Sequence, residues 1–451
     1  MSMMRSAASY KSWARGQCFT PSSSKTNDGF TIDDSSSSGG GGGSGSGSGS
    51  DDNSSFYPSE RCRAFDTVGF IHLPQFASAD VVASMKTTME QLVNDEWMTS
   101  SSSTSTTASS SSSAAVETFR TDDKQVDAQG SSDYFLDSAT KIHYFAEPYA
   151  VNTDENNGST TLKEDYRCNK VTALNKAGHG LHLRPGIFHE YTTSTAISTL
   201  LRELGYVDPV VPQSMYIFKQ GRRSTSTNDD ADLDMDGVVT SHQDSTFLST
   251  TPHQTCIGLW LALDDATINN GCLWVRPGSH DEGIRRQFVR NPKHFGCSLE
   301  YQHGKNNNED TSNDSGRSGD SNEGDTVNCA APQMIFRDLT TTTTNNDEST
   351  TTTDETQRNN NAVPWEGKLP ENSLPIPDCP GLYKAGFVPL PCKAGDLLVF
   401  AGALDHLSLA NYTSNARHTF QLHCVEGEGA GVVWSKENWL QYPNGVPFMK
   451  L

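Results

Sequence analysis

The sequence lacks long apolar runs, and it has few basic residues relative to its acidic ones. No run approaches the roughly 18 apolar residues that a membrane-spanning helix requires. The 55 Asp and Glu residues outnumber the 34 Lys and Arg residues, and the formal net charge of −21 argues against a nucleic-acid-binding surface. We therefore expect neither a membrane span nor a nucleic-acid partner.

Cysteine pairs of the C-x-x-C type are also missing, although the chain has ten cysteines. A closed structural zinc site prefers four protein ligands with thiolates prominent, so this class of metal site is disfavoured. Scattered cysteines are typical of a reducing compartment, and we predict a cytoplasmic location. An organelle is the alternative, because residues 1–27 contain Arg5, Lys11, Arg15 and Lys25, many serines and no acidic residue.

Low-complexity sequence accounts for much of the 451-residue length. Segments rich in Ser, Thr, Gly, Asn and Asp cannot bury enough apolar area to offset their chain entropy, so we predict that they are disordered. The predicted disordered segments are residues 1–60, which precede the domain, and inserts near 99–115, 222–238, 302–328 and 339–362. Residues 61–451 without these inserts are expected to form one domain of ordinary size.

The strongest chemical signal is the triplet His242-Gln243-Asp244, together with His406 and Arg417 far downstream. Two imidazoles and one carboxylate form a facial triad that holds non-haem Fe(II) and leaves coordination positions open. Side chains i and i+2 of a strand leave the same face, so His242 and Asp244 are expected to bind one ion while Gln243 points away. An arginine shortly after the second histidine suits a dicarboxylate co-substrate.

Short strands separated by turn signals surround these residues. Apolar patterns predict strands at 255–263, 397–400 and 417–425, and such a series is typical of a small barrel. Two amphipathic helices are also predicted, one starting after Ser78 as its N-cap and one over 194–204 that stops at Gly205. Because a barrel sheet needs a cover, we expect their apolar stripes to pack on it.

A resemblance to a known family is carried by six segments: GSSDYFLDSATKI, NKAGHGLH, PVVPQSMYIFKQ, SHQDSTFL, GLWLALDDATINNGCLWVRPGSH and SKENWLQ. Across residues 130–448 the chain resembles the phytanoyl-CoA dioxygenase family, in its phytanoyl-CoA dioxygenase domain-containing branch of Fe(II)/2-oxoglutarate oxygenases. The resemblance implies a mainly β (α+β) fold, a double-stranded β-helix or jelly-roll-like barrel with covering N-terminal helices. It also implies hydroxylation of a small-molecule substrate, with conversion of 2-oxoglutarate to succinate and CO2.

Carried over position by position, the resemblance also assigns roles to individual residues. It places the iron ligands at His242, Asp244 and His406. The residue that pairs with the distal carboxylate of 2-oxoglutarate falls on Arg417, since a guanidinium can bind both oxygens at once. Ser408, two residues after His406, matches a hydroxyl that reaches the same carboxylate. The implied cofactors are Fe(2+), 2-oxoglutarate as co-substrate and O2, with ascorbate in a supporting role.

Three further positions, Lys176, Met215 and Trp260, fall where this branch of the family lines its co-substrate pocket. Ordinary apolar packing would also explain Met215 and Trp260. Two functional interpretations stay open, a hydroxylase and a non-catalytic metal- and 2-oxoglutarate-binding barrel that acts as a sensing or interaction module. The intact ligand set and Arg417 favour the hydroxylase. Neither the prime substrate nor the oligomeric state is predicted.

Two residues near the proposed site depart from the pattern of the family, and other charged residues and histidines have no predicted role in metal binding. Arg276 takes a position that is usually apolar, and Asp405 directly precedes a proposed ligand. The basic cluster of Arg285, Arg286, Arg290 and Lys293 predicts a solvated helical face, with a rim that steers an anionic substrate as the alternative. Histidines outside the ligand set are interpreted as structural residues: His143, His179, His182, His253, His280, His418 and His423.

Overall fold

A computed structural model describes residues 59–98, 116–120, 130, 132–154, 159–221, 237–295, 331–339 and 363–451. The predicted disorder of residues 1–60 and of the four inserts concerns stretches that lie almost entirely outside the described residues. Val238 and Leu339 are exceptions at the edges of two inserts. Val238 is buried, and the amide of Leu339 donates to the carbonyl of Arg285. The insert boundaries predicted from composition therefore run slightly into the fold.

The described residues contain several sheets, and every pairing between their strands is antiparallel. The larger sheet has the order β1 (Phe70–Leu73), β14 (Leu397–Ala401), β9 (Ile257–Ala262), β16 (Thr419–Glu426), β6 (Pro209–Ile217), β5 (Leu174–His179) and β2 (Ile142–Ala146), with β18 (Met449–Lys450) also on β6. The smaller sheet has the order β13 (Val388–Leu390), β10 (Leu273–Val275), β15 (His406–Ser408) and β7 (Val239–His242). Two-stranded ribbons pair β11 (Arg286–Arg290) with β12 (Met334–Asp338), β8 (Thr250–Thr251) with β17 (Val433–Trp434), and β3 (Val151–Thr153) with β4 (Thr160–Leu162).

Helices are few in the described residues and include the two that the periodicity predicted. They are α1 (Glu60–Val68), α2 (Ala79–Glu96), α3 (Asp133–Asp137), α4 (Ile187–Thr192), α5 (Thr195–Glu203) and α6 (Pro380–Lys384). The Ser78 hydroxyl accepts a hydrogen bond from the amide of Val81, and Ser194 caps α5 in the same way. The predicted stripe of α2 is buried: Val82, Met85, Met89, Leu92 and Val93.

Side chains that alternate along the strands of the larger sheet pack into two different hydrophobic cores, one on each face. On β9, Ile257, Leu259 and Leu261 belong to the core that also contains the stripes of α2 and α5. Trp260 and Ala262 face the other way, into the core shared with the smaller sheet. The helices therefore cover one face of the larger sheet, and the smaller sheet covers the other. Among the described strands the two sheets are separate, and no closed barrel joins them.

The described helices and cysteines bear on the expected absence of a membrane span and on the expected reducing compartment. None of the described helices combines the length and the apolar character needed to cross a membrane. The seven described cysteines are all free thiols: Cys62, Cys168, Cys256, Cys272, Cys379, Cys392 and Cys424. Free thiols are the state expected in a reducing compartment, while the location itself stays a prediction.

Candidate metal centre and co-substrate site

The structure brings His242, Asp244 and His406 together, with one ligand atom of each within 4.8 Å of the others. Pairing of β7 with β15 sets His406 opposite His242. The Nε2 atoms of both histidines lie 3.5 Å from Oδ1 of Asp244. The His406 ring also lies 4.8 Å from the ring of Phe400 on the larger sheet, so the cluster sits between the two sheets. This donor set fits a divalent cation with open coordination positions.

The local backbone differs from the predicted strand. β7 ends at His242, and Asp244 opens a short 3-10 turn, so the prediction that both ligands lie on one strand is wrong. Gln243 nevertheless keeps an extended backbone, with φ −118° and ψ 131°, and the alternation therefore persists for one more residue. The Gln243 side chain points away from the cluster, and its amide donates to the carbonyls of Gly283 and Ala403.

Backbone carbonyls orient both ligand histidines. Nδ1 of His242 lies 2.8 Å from the Thr240 carbonyl, and Nδ1 of His406 lies 2.9 Å from the Leu404 carbonyl. Because a carbonyl oxygen only accepts, each Nδ1 carries the proton. Each Nε2 therefore presents its lone pair beside Asp244, which is how a metal-binding histidine is usually held.

His423 is the residue of this site that the sequence interpretation missed. Its Nε2 lies 2.9 Å from Oδ2 of Asp244, and its Nδ1 lies 3.0 Å from Nε2 of Gln213. If the Gln213 amide donates to Nδ1, then His423 donates from Nε2 and holds the outer oxygen of Asp244. The available signal was the strand period, since His423 lies six residues after Arg417 on the same face of the predicted strand.

The protonation states of the cluster suit a cation. Burial raises the pKa of Asp244, but the surrounding imidazoles of His423, His406 and His242 outweigh it and hold this pKa well below its usual value. Burial lowers the pKa of His406 to about 4, and nearby His242 lowers it further. At neutral pH the carboxylate is thus ionised and His406 is neutral, the forms in which these groups bind metal ions.

Arg417 lies just before β16 and is almost completely buried, at 2% exposure. Its Nη2 donates to the Gly271 carbonyl over 2.7 Å and lies 3.5 Å from the Ser408 hydroxyl. Its Nε and Nη1 have no hydrogen-bond partner among the described residues. Burial lowers the pKa of Arg417 to about 10, so the guanidinium is still charged at neutral pH. A buried charge with unsatisfied donors fits a site that an anion completes.

Ser408 and Trp260 lie beside this guanidinium, and their roles towards the co-substrate stay predictions. The Ser408 hydroxyl donates to the same Gly271 carbonyl over 2.8 Å. The Trp260 ring centroid lies 5.1 Å from Cζ of Arg417, within the range of a cation–π contact. The structure therefore groups the buried side chains of Arg417 and Trp260 around Ser408, which lies on the same strand as His406.

Lys176 and Met215 form a second group, on the neighbouring strands β5 and β6. Nζ of Lys176 lies 3.8 Å from Sδ of Met215, donates to Nε2 of His179 over 3.0 Å and lies 3.4 Å from the centre of the Phe119 ring. Burial lowers the pKa of Lys176 well below its usual value. Among the described residues no hydrogen bond joins either residue to Arg417 or to the proposed ligands. Their role in the co-substrate pocket stays a prediction.

The basic cluster after residue 284 includes a strand, and Arg285 differs from both of its predicted forms. Residues Arg286–Arg290 are strand β11 and not a helix. Arg285 is 2% exposed and forms ion pairs with Asp405 and Glu366. Neither a solvated face nor a steering rim describes Arg285, because its charge is buried and neutralised.

Comparison with known proteins identifies the family. The family model for phytanoyl-CoA dioxygenase (PhyH) matches residues 65–327. The chain is 31% identical over 338 residues to phytanoyl-CoA dioxygenase domain-containing protein 1 of Danio rerio, covering 74% of this chain and 81% of that protein. It is 30% identical over 382 residues to phytanoyl-CoA dioxygenase 1 of Oryza sativa subsp. japonica, covering 85% and 93%. The chain belongs to the phytanoyl-CoA dioxygenase family.

The family and the enzyme class predicted from the sequence, a 2-oxoglutarate-dependent dioxygenase, are thereby confirmed. The match to the family model ends at residue 327, before His406 and Arg417. In the fold, β15 pairs with β7 and β10, and β16 pairs with β9, so both residues lie next to strands of the matched part. Among solved structures, the epimerase SnoN in complex with Fe3+, alpha ketoglutarate and nogalamycin RO aligns over 86% of this chain and 93% of that chain, at 12% identity and a TM-score of 0.41. That likeness is too distant to bear on the fold or the chemistry.

Proposed function

We propose that this protein is an Fe(II)/2-oxoglutarate-dependent dioxygenase that hydroxylates a small molecule. The observation that carries the proposal is the combination of a two-histidine, one-carboxylate cluster with a buried guanidinium that has unused donors. In the balanced reaction a substrate C–H group, O2 and 2-oxoglutarate give a substrate C–OH group, succinate and CO2. The class of enzyme follows from the family, and the metal, the co-substrate and the type of substrate are the proposed parts.

His242, Asp244 and His406 would hold Fe(II) through two neutral imidazoles and one carboxylate. Three positions of a six-coordinate ion then stay open for a bidentate 2-oxo acid and for O2. Bound Fe(II) supplies the redox chemistry with O2. The carbonyls of Thr240 and Leu404 would keep both imidazoles turned towards the ion.

Arg417 would bind the distal carboxylate of 2-oxoglutarate. A guanidinium can bind both oxygens of one carboxylate, and its interaction is strong in a buried place because water does not compete there. The Ser408 hydroxyl adds a neutral donor to the same group. The Trp260 ring lies against one side of the guanidinium.

We also infer that the two facing sheets form a double-stranded β-helix. One observation that supports this is that β1 and β18, from the two ends of the described chain, both lie in the larger sheet. Another is that β7 and β15 of the smaller sheet carry His242 and His406, and β10 pairs with β15. This arrangement also supports one domain over residues 61–451, with the low-complexity stretches as inserts between its elements.

The prime substrate is the open part of the proposal. Relatives from rice and Arabidopsis thaliana are named for phytanoyl-CoA. The residues assigned here bind the metal and the co-substrate, which many oxygenases share, so they do not select the molecule that is hydroxylated. The non-catalytic sensing module is not favoured, because the three ligands and Arg417 are all in place.

Succinate release is the direct test of the proposed activity. Purified protein is incubated with Fe(II), ascorbate and 2-oxoglutarate, alone and with a library of small metabolites, and succinate and CO2 are measured. We expect equal amounts of both products, increased by the true substrate and absent from Asp244→Ala. If the protein demonstrably binds iron but releases no succinate with any library member, the sensing module replaces the enzyme.

A further inference from the structure

Asp405 is a completely buried carboxylate that directly precedes the proposed ligand His406. One of its oxygens accepts from Arg285, and the other accepts from both Nε and Nη2 of Arg276, with 2.9 Å to Nε. Its backbone is fixed as well. The Asp405 amide donates to the Ser279 hydroxyl over 2.9 Å, and its carbonyl accepts from the Arg276 amide over 2.9 Å.

The charges around Asp405 balance within one network. Nε of Arg285 lies 2.8 Å from Glu366, and the Arg276 guanidinium binds both oxygens of Glu282 over 2.6 and 2.5 Å. Three guanidiniums and three carboxylates make up the network: Arg276, Arg285, Arg286, Asp405, Glu282 and Glu366. Because the charges cancel, the network adds no net charge behind the metal cluster.

Gln243 connects this network to the other two ligands. It lies between His242 and Asp244, is fully buried and accepts from the amide of Arg285 over 3.2 Å. Its side-chain amide donates to the carbonyl of Ala403 over 2.6 Å, three residues before His406. Through these hydrogen bonds, Gln243 joins the segment of His406 to the segment of His242 and Asp244.

We infer that Asp405 is a positioning residue for the metal centre, an inference that rests on the proposed function. A buried ion pair adds little to stability on average, because desolvation of the charges offsets their attraction. It does impose geometry, since any shift of the segment at 403–406 would leave buried guanidinium donors without acceptors. The network thereby fixes the separation between His406 and Asp244, on which a three-ligand site depends.

The test compares Asp405→Asn with a matched control, Asp396→Asn. Asp396 is also a buried aspartate and binds His72 and the amides of Gln75 and Lys393, but it touches no proposed ligand. Affinity for Co(II) and the ligand-field spectrum of the Co(II) complex are measured on folded protein. We expect Asp405→Asn to weaken binding about tenfold or more and to change the spectrum. Asp396→Asn should lower the melting temperature and leave both properties unchanged.

Two milder variants keep the inference testable if Asp405→Asn does not fold. Arg276→Gln leaves the pair of Asp405 with Arg285, and Ser279→Ala removes only the acceptor of the Asp405 amide. Each should shift the Co(II) spectrum in the same direction by a smaller amount. Wild-type affinity and spectrum in the folded variants would overturn the inference. Wild-type protein that binds no Co(II) or Fe(II) would instead overturn the proposed function, so the two failures are distinguishable.

Discussion

At the scale of single residues, the proposed metal ligands have hydrogen-bond partners that orient them, whereas Arg417 has donors without a partner among the described residues. Carbonyls two residues back hold the rings of His242 and His406, and His423 holds the outer oxygen of Asp244. Arg417 is the opposite case, because a buried guanidinium keeps donors that no described residue accepts. The satisfied groups preorganise the metal centre, and the unsatisfied one marks the place of the anion.

Replacing Arg417 by alanine should separate co-substrate binding from metal binding. Loss of a charge-assisted pair costs about 1.5 to 3 kcal/mol, or roughly a ten- to hundredfold loss of 2-oxoglutarate affinity or more. Arg417→Lys should recover only part of it, because an ammonium cannot bind both oxygens in one plane. Ser408→Ala should weaken binding by about 1 kcal/mol. Calorimetric titration of the anaerobic iron protein measures all three variants.

The order of these effects tests the assignment of Arg417. Iron content should stay at the wild-type level in each variant, since none of them removes a ligand. If Arg417→Ala binds 2-oxoglutarate as tightly as wild type does, another cation holds the carboxylate, with Lys176 the first candidate.

Removing His423 should weaken the metal centre without removing a ligand. His423→Phe leaves Oδ2 of Asp244 without its donor, and loss of such an orienting partner typically costs ten- to a hundredfold in metal affinity. The matched control is His182→Phe, which replaces a buried imidazole that bonds Ser214 and Tyr442. Competition with a metal chelator measures both variants. Equal losses in the two would assign His423 a role in packing alone.

At the scale of secondary-structure elements, complete periodic patterns were predictable and short or polar ones were not. The stripe of α2 and the apolar run of β9 follow a full helical or strand period, and both elements are present. β11 begins and ends with an arginine, and this spacing of four residues resembles a solvated helical face in the sequence. In the fold it pairs with β12 and packs Phe288 into a core, so tertiary pairing decides its structure.

The proposed ligands could be found from the sequence because the H-x-D spacing lies within segments that resemble the family and their residue types are specific. The partners that orient them could not. The contact of His423 with Asp244 and that of Asp405 with Arg285 depend on sheet register and on the packing of distant segments. A carboxylate next to a ligand and an arginine in an apolar position look like unrelated departures until the fold pairs Asp405 with Arg276.

Shortening two low-complexity stretches should leave the elements around them intact. β11 and β12 pair along five residues each, and Nδ1 of His294 lies 2.9 Å from the Ala331 carbonyl, so the ends of the first stretch are already joined. Deletion of 306–322 and 341–360 should therefore change the melting temperature and the turnover little, since loop length affects stability only weakly. A large fall in melting temperature would show that the deleted residues pack on the domain.

At the scale of the whole molecule, buried histidines make stability depend on pH. Burial lowers the pKa of His182 to about 3 and that of His179 well below its usual value. In the unfolded chain a histidine titrates near 6.5, so below that pH the unfolded state binds more protons than the folded state. The free energy of unfolding therefore falls as the pH falls, by roughly 2 kcal/mol for His182 between pH 7 and pH 5.

Denaturant unfolding of the metal-free protein at pH 7 and pH 5 measures this loss. His182→Gln, which does not titrate, should lower the stability at pH 7 and show a smaller difference between the two pH values. The same pH dependence in wild type and variant would show that His182 is not held neutral in the fold.

The central claim is that His242, Asp244 and His406 hold iron beside a site for 2-oxoglutarate. Its most direct test is an anaerobic titration of the Fe(II) protein with 2-oxoglutarate, followed by the charge-transfer absorption that a 2-oxo acid bound to Fe(II) produces. We predict a saturable band with one 2-oxoglutarate per iron in wild type and no band in Asp244→Ala. Wild-type protein that binds Fe(II) but shows no band, or an Asp244→Ala variant that matches wild type, would contradict the account.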